Sequence, residues 1–245
     1  MSIAEKLTQI AENEQKVYDA GIEEGKKSEY DLFWDTFQSN GNRRYYEYAF
    51  ADDTNGGRKW ISGKTYRPKY PMKPLAASYM FRRSGLGYED IAKIDFSECK
   101  NFDYAFYRYG GSQIFPPIDL RSATSLSNVF NDSTSIKEME KIKVSENTPY
   151  NNTFSGCTGL REVRFEGTIG QNGLNFKDST LLSRNSIETI IEALSTTASG
   201  KTLTLSKAAV DKAYETSEGA NDGSNSPTWL DDKLAYRPNW TISLA

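Results

Sequence analysis

Apolar residues recur along the middle of the chain at a fixed offset. Ile94-Asp95-Phe96, Ile118-Asp119-Leu120 and Ile142-Lys143-Val144 begin 24 residues apart, and a Phe follows each leading Ile by twelve positions, at Phe106, Phe130 and Phe154. Phe102, Leu126 and Tyr150 keep the same offset, as do Ile136 with Leu160 and Met139 with Val163. A period in the twenties is the pattern of stacked units, each able to bury its apolar side only against its neighbours. The alternating apolar pairs predict one short strand per unit with one face inward. The Ser, Thr, Asn, Asp and Gly between them predict a turn and a loose helical turn. The expected fold class is therefore an α/β solenoid over residues 91–245.

The flanks follow other patterns. Downstream the period loosens through Gly167, Gly170 and Gly173. Asn185 and Glu188 then fit a capping box opening a helix with Ile187, Ile190, Ile191 and Leu194 on one face. Leu203-Thr204-Leu205 follows, Ser206 can cap a helix over Lys207 to Tyr214, and Trp240-Thr241-Ile242-Ser243-Leu244 alternates as a closing strand. Upstream, Ala76 to Leu86 reads as a short helix. Residues 41–90 form an aromatic-rich segment broken by the turn run Asp52 to Gly57 and by Pro68, Pro71 and Pro74. Its aromatics predict a cap over the open end of the solenoid. A second reading makes Tyr45, Tyr46, Tyr48 and Trp60 a stacking platform for sugar rings or peptide, through large apolar area with a polar edge. In residues 1–40, Ser2 and Glu5 fit a helix-opening capping box, and Ile3, Leu7, Ile10 and Val17 follow a heptad seam interrupted at Glu14 and Gly21. So narrow a stripe reads either as a solvated helix or as a short parallel coiled coil between copies of the chain.

Composition narrows the chemistry. Lys plus Arg is 30 against 33 for Asp plus Glu, a net charge of -3, so the totals argue against a nucleic-acid partner. Histidine is absent, which removes imidazole bases, Ser-His and Cys-His nucleophile pairs and His-containing zinc sites. The two cysteines, Cys99 and Cys157, fall in different slots of the repeat and read as small buried thiols. No apolar run approaches the ~20 residues that span a bilayer. The N-terminus lacks a basic region followed by an apolar one, so no signal peptide is expected and synthesis in the cytoplasm is. There is no phosphate loop, metal-ligand cluster or nucleophile elbow, and no cofactor is expected. One enzymatic alternative stays open. Asp95 and Asp119 occupy equivalent slots of adjacent units, and a glycosidase needs only two carboxylates. Lys143 takes the next slot, however, so the column also reads as ordinary charge pairing at a solvated surface.

The pieces Tyr104-Ala105-Phe106 and Asn152-Thr153-Phe154-Ser155-Gly156-Cys157, with Leu160-Arg161-Glu162-Val163, resemble the BspA-like leucine-rich repeat family of bacteria, whose units have an A-F-x-x-C-x-x-L core. The resemblance covers about residues 91–210 and departs from the pattern where the Cys would fall, in Tyr107 to Gly111 and in Asn131 to Ser135. The whole chain, from Ile3-Ala4-Glu5-Lys6-Leu7 through Phe33-Trp34 to Asn239-Trp240-Thr241-Ile242, is also similar to leucine-rich repeat proteins carried by phages and prophages of gut Firmicutes. That resemblance implies a non-enzymatic recognition or structural protein associated with a phage tail and virion. It implies a homotrimer assembled through Ile3, Leu7, Ile10 and Val17, and a bacterial surface glycan or protein as partner. A bacterial cell-surface adhesin of the same repeat family is the alternative. Neither group brings catalytic residues with it.

Overall fold

The computed structural model describes residues 50–51, 72–215 and 229–245. Among the described residues every paired strand runs parallel to its neighbour. In the first sheet β1 (Ile114–Phe115) and β2 (Ile118–Asp119) pair successive halves of β3 (Glu138–Val144), and β4 (Glu162–Gly167) also pairs β3. Pro116 and Pro117 separate β1 from β2, because a ladder cannot run through residues with no N–H. The register is the sequence period made visible: Ile114 faces Glu138, Ile118 faces Ile142, and Met139 faces Val163. It slips between Met139 and Ile142, so that Ile142 faces Phe165 and Val144 faces Gly167. Gly167, at φ 111°, lies with its Cα against the Val144 carbonyl, where a Cβ would come within 2.1 Å of that oxygen. The first expected strand is missing. The Ile94 N–H donates to the Ile91 carbonyl at 3.0 Å, closing helix α1 (Tyr88–Ile91), and Ile94 forms only a bridge with Met72.

The more regular part of each unit is the expected turn, with a backbone that the sequence pattern did not predict. The N–H groups of Ala77, Tyr79, Phe81 and Arg83 donate to the carbonyls of Asn101, Asp103, Ala105 and Tyr107, and those between them donate locally, Met80 to Ala77, Arg82 to Tyr79 and Ser84 to Phe81. The next unit repeats the scheme, with Phe102, Tyr104, Phe106 and Arg108 donating to Ser125, Ser127, Val129 and Asn131. Such alternation requires a backbone that reverses hand at regular points. Tyr79, Arg83, Tyr104, Arg108, Asn128, Asp132 and Asn152 all lie at φ between 52° and 58°, and Gly156 at φ 71°. A left-handed non-glycine residue costs roughly 1–2 kcal/mol, which at Tyr79, Arg83, Tyr104, Arg108, Asn128 and Asp132 a bond from the N–H to the next unit offsets. The helix expected over Ala76 to Leu86 is therefore replaced by a further copy of this turn, ahead of the boundary placed at residue 90.

Behind the turns runs a column of rings. Phe50, Phe81, Phe106, Phe130, Phe154 and Phe176 stack in order with centroids 5.0, 5.0, 5.4, 5.7 and 4.8 Å apart. Phe115 meets both Phe106 and Phe130 edge-on, at 4.9 and 5.1 Å. Three residues beyond each of the last five column positions sits a buried residue whose N–H returns to that Phe carbonyl: Ser84, Tyr109, Ser133, Cys157 and Ser179. Cys157 Sγ also donates to the Phe130 carbonyl at 3.0 Å, as Ser133 Oγ does to the Phe106 carbonyl at 2.6 Å. Ser133 thus fills the cysteine slot in the middle unit. At these two positions a small hydrogen-bonding side chain gives the buried Phe carbonyl of the preceding unit a donor.

At the far end β5 (Asn175–Phe176), β6 (Lys201–Leu205) and β7 (Trp240–Leu244) make a second parallel sheet. Leu203 and Leu205 point inward while Thr202 and Thr204 alternate outward. Helix α2 (Arg184–Ala193) buries Ile187, Ile190 and Ile191. Its cap is Ser183, which accepts from the Ser186 N–H, two residues before the expected Asn185. Ser206 Oγ accepts from the Ala209 N–H at 3.4 Å in the first turn of α3 (Lys207–Glu215), as expected. Helix α4 (Trp229–Leu234) sets Trp229 edge-on to Tyr214 at 5.4 Å. Among the described residues no helix is long and apolar enough to cross a membrane.

Candidate functional site

Because the turn backbone repeats, its outward positions form columns in which only the side chain changes. One column reads Tyr79, Tyr104, Asn128, Asn152, and another reads Arg83, Arg108, Asp132, Gly156. The early members make a cationic aromatic patch. Tyr79 and Tyr104 stack at 5.0 Å with planes 2° apart, and Tyr107 meets Tyr104 edge-on at 5.6 Å. Arg82 lies 5.8 Å from the Tyr79 ring and 5.7 Å from Tyr107, and Arg108 lies 5.1 Å over Tyr107 while pairing with Asp132 at 3.2 Å. Stacked cations and rings hold each other rigid without covering the ring edges, a good surface for recognition.

The later members of the first column, Asn128 and Asn152, are polar and uncharged. Asn131 Nδ2 donates to Asn128 Oδ1 at 3.0 Å. Beyond them opens a cleft of about 270 Å³ lined by Tyr150, Asn151, Asn152, Asn172, Asn175 and Thr204, with Gly173, Leu174 and Thr202. Gly173, at φ 95°, allows the chain to pass against Tyr150, since a Cβ there would stand 2.1 Å from the Tyr150 carbonyl oxygen.

A larger cleft, of about 630 Å³, lies between α2 and α4. Glu188 organises it, accepting from the Trp229 indole N–H at 2.7 Å and from Arg184 at 3.1 Å, with Lys233 at 3.8 Å. Arg184 stacks over the Trp229 ring at 4.7 Å. Burial works against ionisation of Glu188, but the indole and the two cations prevail and hold its carboxyl below the usual range. The cluster reads as a clamp fixing α4 to α2.

The candidate carboxylate pair can be judged directly. Asp119 faces Lys143 across β2 and β3, and its carboxylate holds Arg121 at 2.6 Å. Asp95 accepts from the Ser97 N–H at 2.9 Å and meets Lys73 at 3.4 Å. Hydrogen bonds from Ser97, helped by Lys73, push the Asp95 carboxyl down; at Asp119 burial opposes ionisation but Arg121 and Lys143 outweigh it. A glycosidase acid needs a carboxyl raised into the neutral range. Both of these are moved the other way, as the charge-pairing reading expects. Among the described residues no cluster of three His, Cys, Asp or Glu side chains could hold a metal ion.

Of the sequence candidates, Tyr45, Tyr46, Tyr48 and Trp60 lie outside the described residues, and so do Ile3, Leu7, Ile10 and Val17. The variable loops at Tyr107 to Gly111 and Asn131 to Ser135 do fall on the turn face. Sequence reading missed Asn152, Asn172, Asn175 and Thr204, which meet only because β5 and β6 return beside the last turn. The alternation of Thr202 and Thr204 with Leu203 and Leu205 was the available signal. The chain matches no protein-family model, no curated protein and no solved structure.

Proposed function

We propose that the chain is an α/β solenoid of leucine-rich-repeat type that works as a non-enzymatic recognition protein, a phage- or prophage-tail component binding a bacterial surface. The supporting observation is the turn face. A constant hydrogen-bonded backbone presents Tyr, Arg, Asn, Asp and Gly at equivalent outward positions, so surface chemistry varies while the frame does not. Solenoids of this kind use such faces for extended contacts rather than for catalysis. The proposed assembly is a homotrimer joined through residues 3–24, and parallel copies would multiply modest affinities when their faces point the same way.

The test is retention on isolated bacterial envelopes. The triple variant Tyr104→Ser, Tyr107→Ser, Arg108→Ser, with circular dichroism checking the fold, is expected to bind at least tenfold more weakly than the unaltered chain. Equal retention of the variant removes the cationic aromatic patch from the account. Absence of retention of either protein removes surface recognition altogether.

A further inference from the structure

We infer that the amide-lined cleft at the asparagine end of the turn face is a subsite for one unit of an uncharged, polyhydroxylated polymer, a neutral saccharide. The inference rests on the recognition reading and gives it a ligand class. No charged side chain lines the cleft, although charged residues make up 26% of the chain. Its polar lining consists of amides, hydroxyls and backbone groups, and each amide offers donors beside an acceptor, the arrangement that matches neighbouring hydroxyls.

The amides are also set in position. Asn172 Oδ1 accepts from the Thr202 N–H at 2.9 Å and Asn175 Oδ1 from the Lys177 N–H at 2.9 Å. These bonds identify the oxygen of each amide and leave its Nδ2 hydrogens without an acceptor among the described residues. Asn152, exposed at φ 52°, and the Thr204 hydroxyl have no side-chain hydrogen bond among the described residues. Thr204 is Asn175's partner in the β5–β6 ladder, so these two groups sit on adjacent strands of a fixed sheet. Tyr150 lines the same cleft, and its hydroxyl is buried without a hydrogen-bond partner among the described residues.

Size agrees with a single ring. A volume of about 270 Å³ falls just below the ~300–1,000 Å³ range of small-molecule sites, as a subsite for one unit of a polymer would. Asn151, Asn152, Asn172 and Thr202 are exposed at the mouth, so the rest of a polymer can leave on either side. A site whose polar groups are fitted to hydroxyls discriminates strongly against ligands that lack them. It has no cation to hold a carboxylate or phosphate.

The experiment is affinity electrophoresis of the full-length chain through gels containing soluble glucan, mannan, galactan or, as the charged control, polygalacturonate. Asn152→Gly deletes the free amide at a φ that glycine adopts readily, and Thr204→Val removes the hydroxyl at nearly constant volume. At least one neutral polymer is expected to retard the unaltered chain, with each variant retarded at least tenfold less and with the Asn172 and Asn175 side-chain amide resonances shifting on binding. Equal retardation of both variants overturns the cleft as the site while leaving surface recognition standing. Retardation by polygalacturonate alone overturns the ligand class. If no polymer retards the chain and envelopes still retain it, the saccharide inference falls by itself; if envelopes do not retain it either, the recognition reading falls with it.

Discussion

Removing one ring from the Phe column tests the stacking that holds successive units together. Phe130 is 0% exposed, lies 5.4 Å from Phe106 and 5.7 Å from Phe154, and takes the edge of Phe115 at 5.1 Å. Phe130→Ala deletes buried apolar area and leaves a cavity between rings that the hydrogen-bonded turns on either side prevent from closing, so the expected loss is about 3–5 kcal/mol. Phe130→Leu keeps most of the apolar volume and loses chiefly the three ring pairs, each worth about 0.5–1.5 kcal/mol beyond its area, so a smaller loss than that of Phe130→Ala is expected. Urea titration followed by far-ultraviolet circular dichroism measures both. The midpoint should move with little change of slope, because the surface exposed on unfolding is nearly the same. A loss below about 1 kcal/mol for Phe130→Ala would mean that the column is not core, and the stacked-unit account would fail with it.

Three further outcomes follow from other parts of the chain. Burial pushes the Cys99 and Cys157 thiols up from 9.0 to about 12, so neither should react with a disulfide reagent at pH 8 until the protein unfolds; a raised thiol value gives stability that is complete below pH 9 and lost as pH rises toward 12, and rapid native labelling would contradict both statements. Glu188 is held below its ordinary value, so its contribution is present above about pH 4.5 and fades as pH falls through the folded value; Glu188→Gln should flatten that acid limb and alter Trp229 emission, and unchanged emission would show that the clamp does not position the indole. Gly167→Ala places a Cβ 2.1 Å from the Val144 carbonyl at φ 111°, and a cost of roughly 1–3 kcal/mol is expected from the strained backbone, with a neutral melting temperature as the contrary result.

The period of 24 was legible because the inward residues Phe106, Phe130 and Phe154 must be apolar and equally spaced, and the register of β1, β2 and β3 obeys it. A turn in each unit was legible from its Ser, Thr, Asn, Asp and Gly, but its backbone was not, since the left-handed positions accept Tyr, Arg, Asn, Asp or Gly and leave no compositional mark. For the same reason Tyr79, Met80 and Phe81 resembled a helix face although their alternate N–H groups bond to the next unit. Ser133 standing in for Cys157 was hidden because the slot selects a hydrogen-bonding group rather than a residue type. The cleft was out of reach because it joins residues from Tyr150 to Thr204 across a stretch where the spacing changes: Gly173 meets Tyr150 and Asn175 meets Thr204, neither of them 24 residues apart. The downshifted carboxyls of Asp95 and Asp119 were partly foreseeable, through Lys143 in the third slot; the contributions of Arg121 and Ser97 required coordinates.

Recognition without chemistry is the central claim, and one incubation addresses it. Full-length protein is mixed with purified bacterial envelope polysaccharide, and both the bound fraction and the number of new reducing ends are followed over hours. The account predicts retention of the protein with no rise in reducing ends. A rise that disappears in Asp95→Asn or Asp119→Asn would contradict it, because those carboxylates would then be catalysing hydrolysis rather than pairing with Lys73, Arg121 and Lys143.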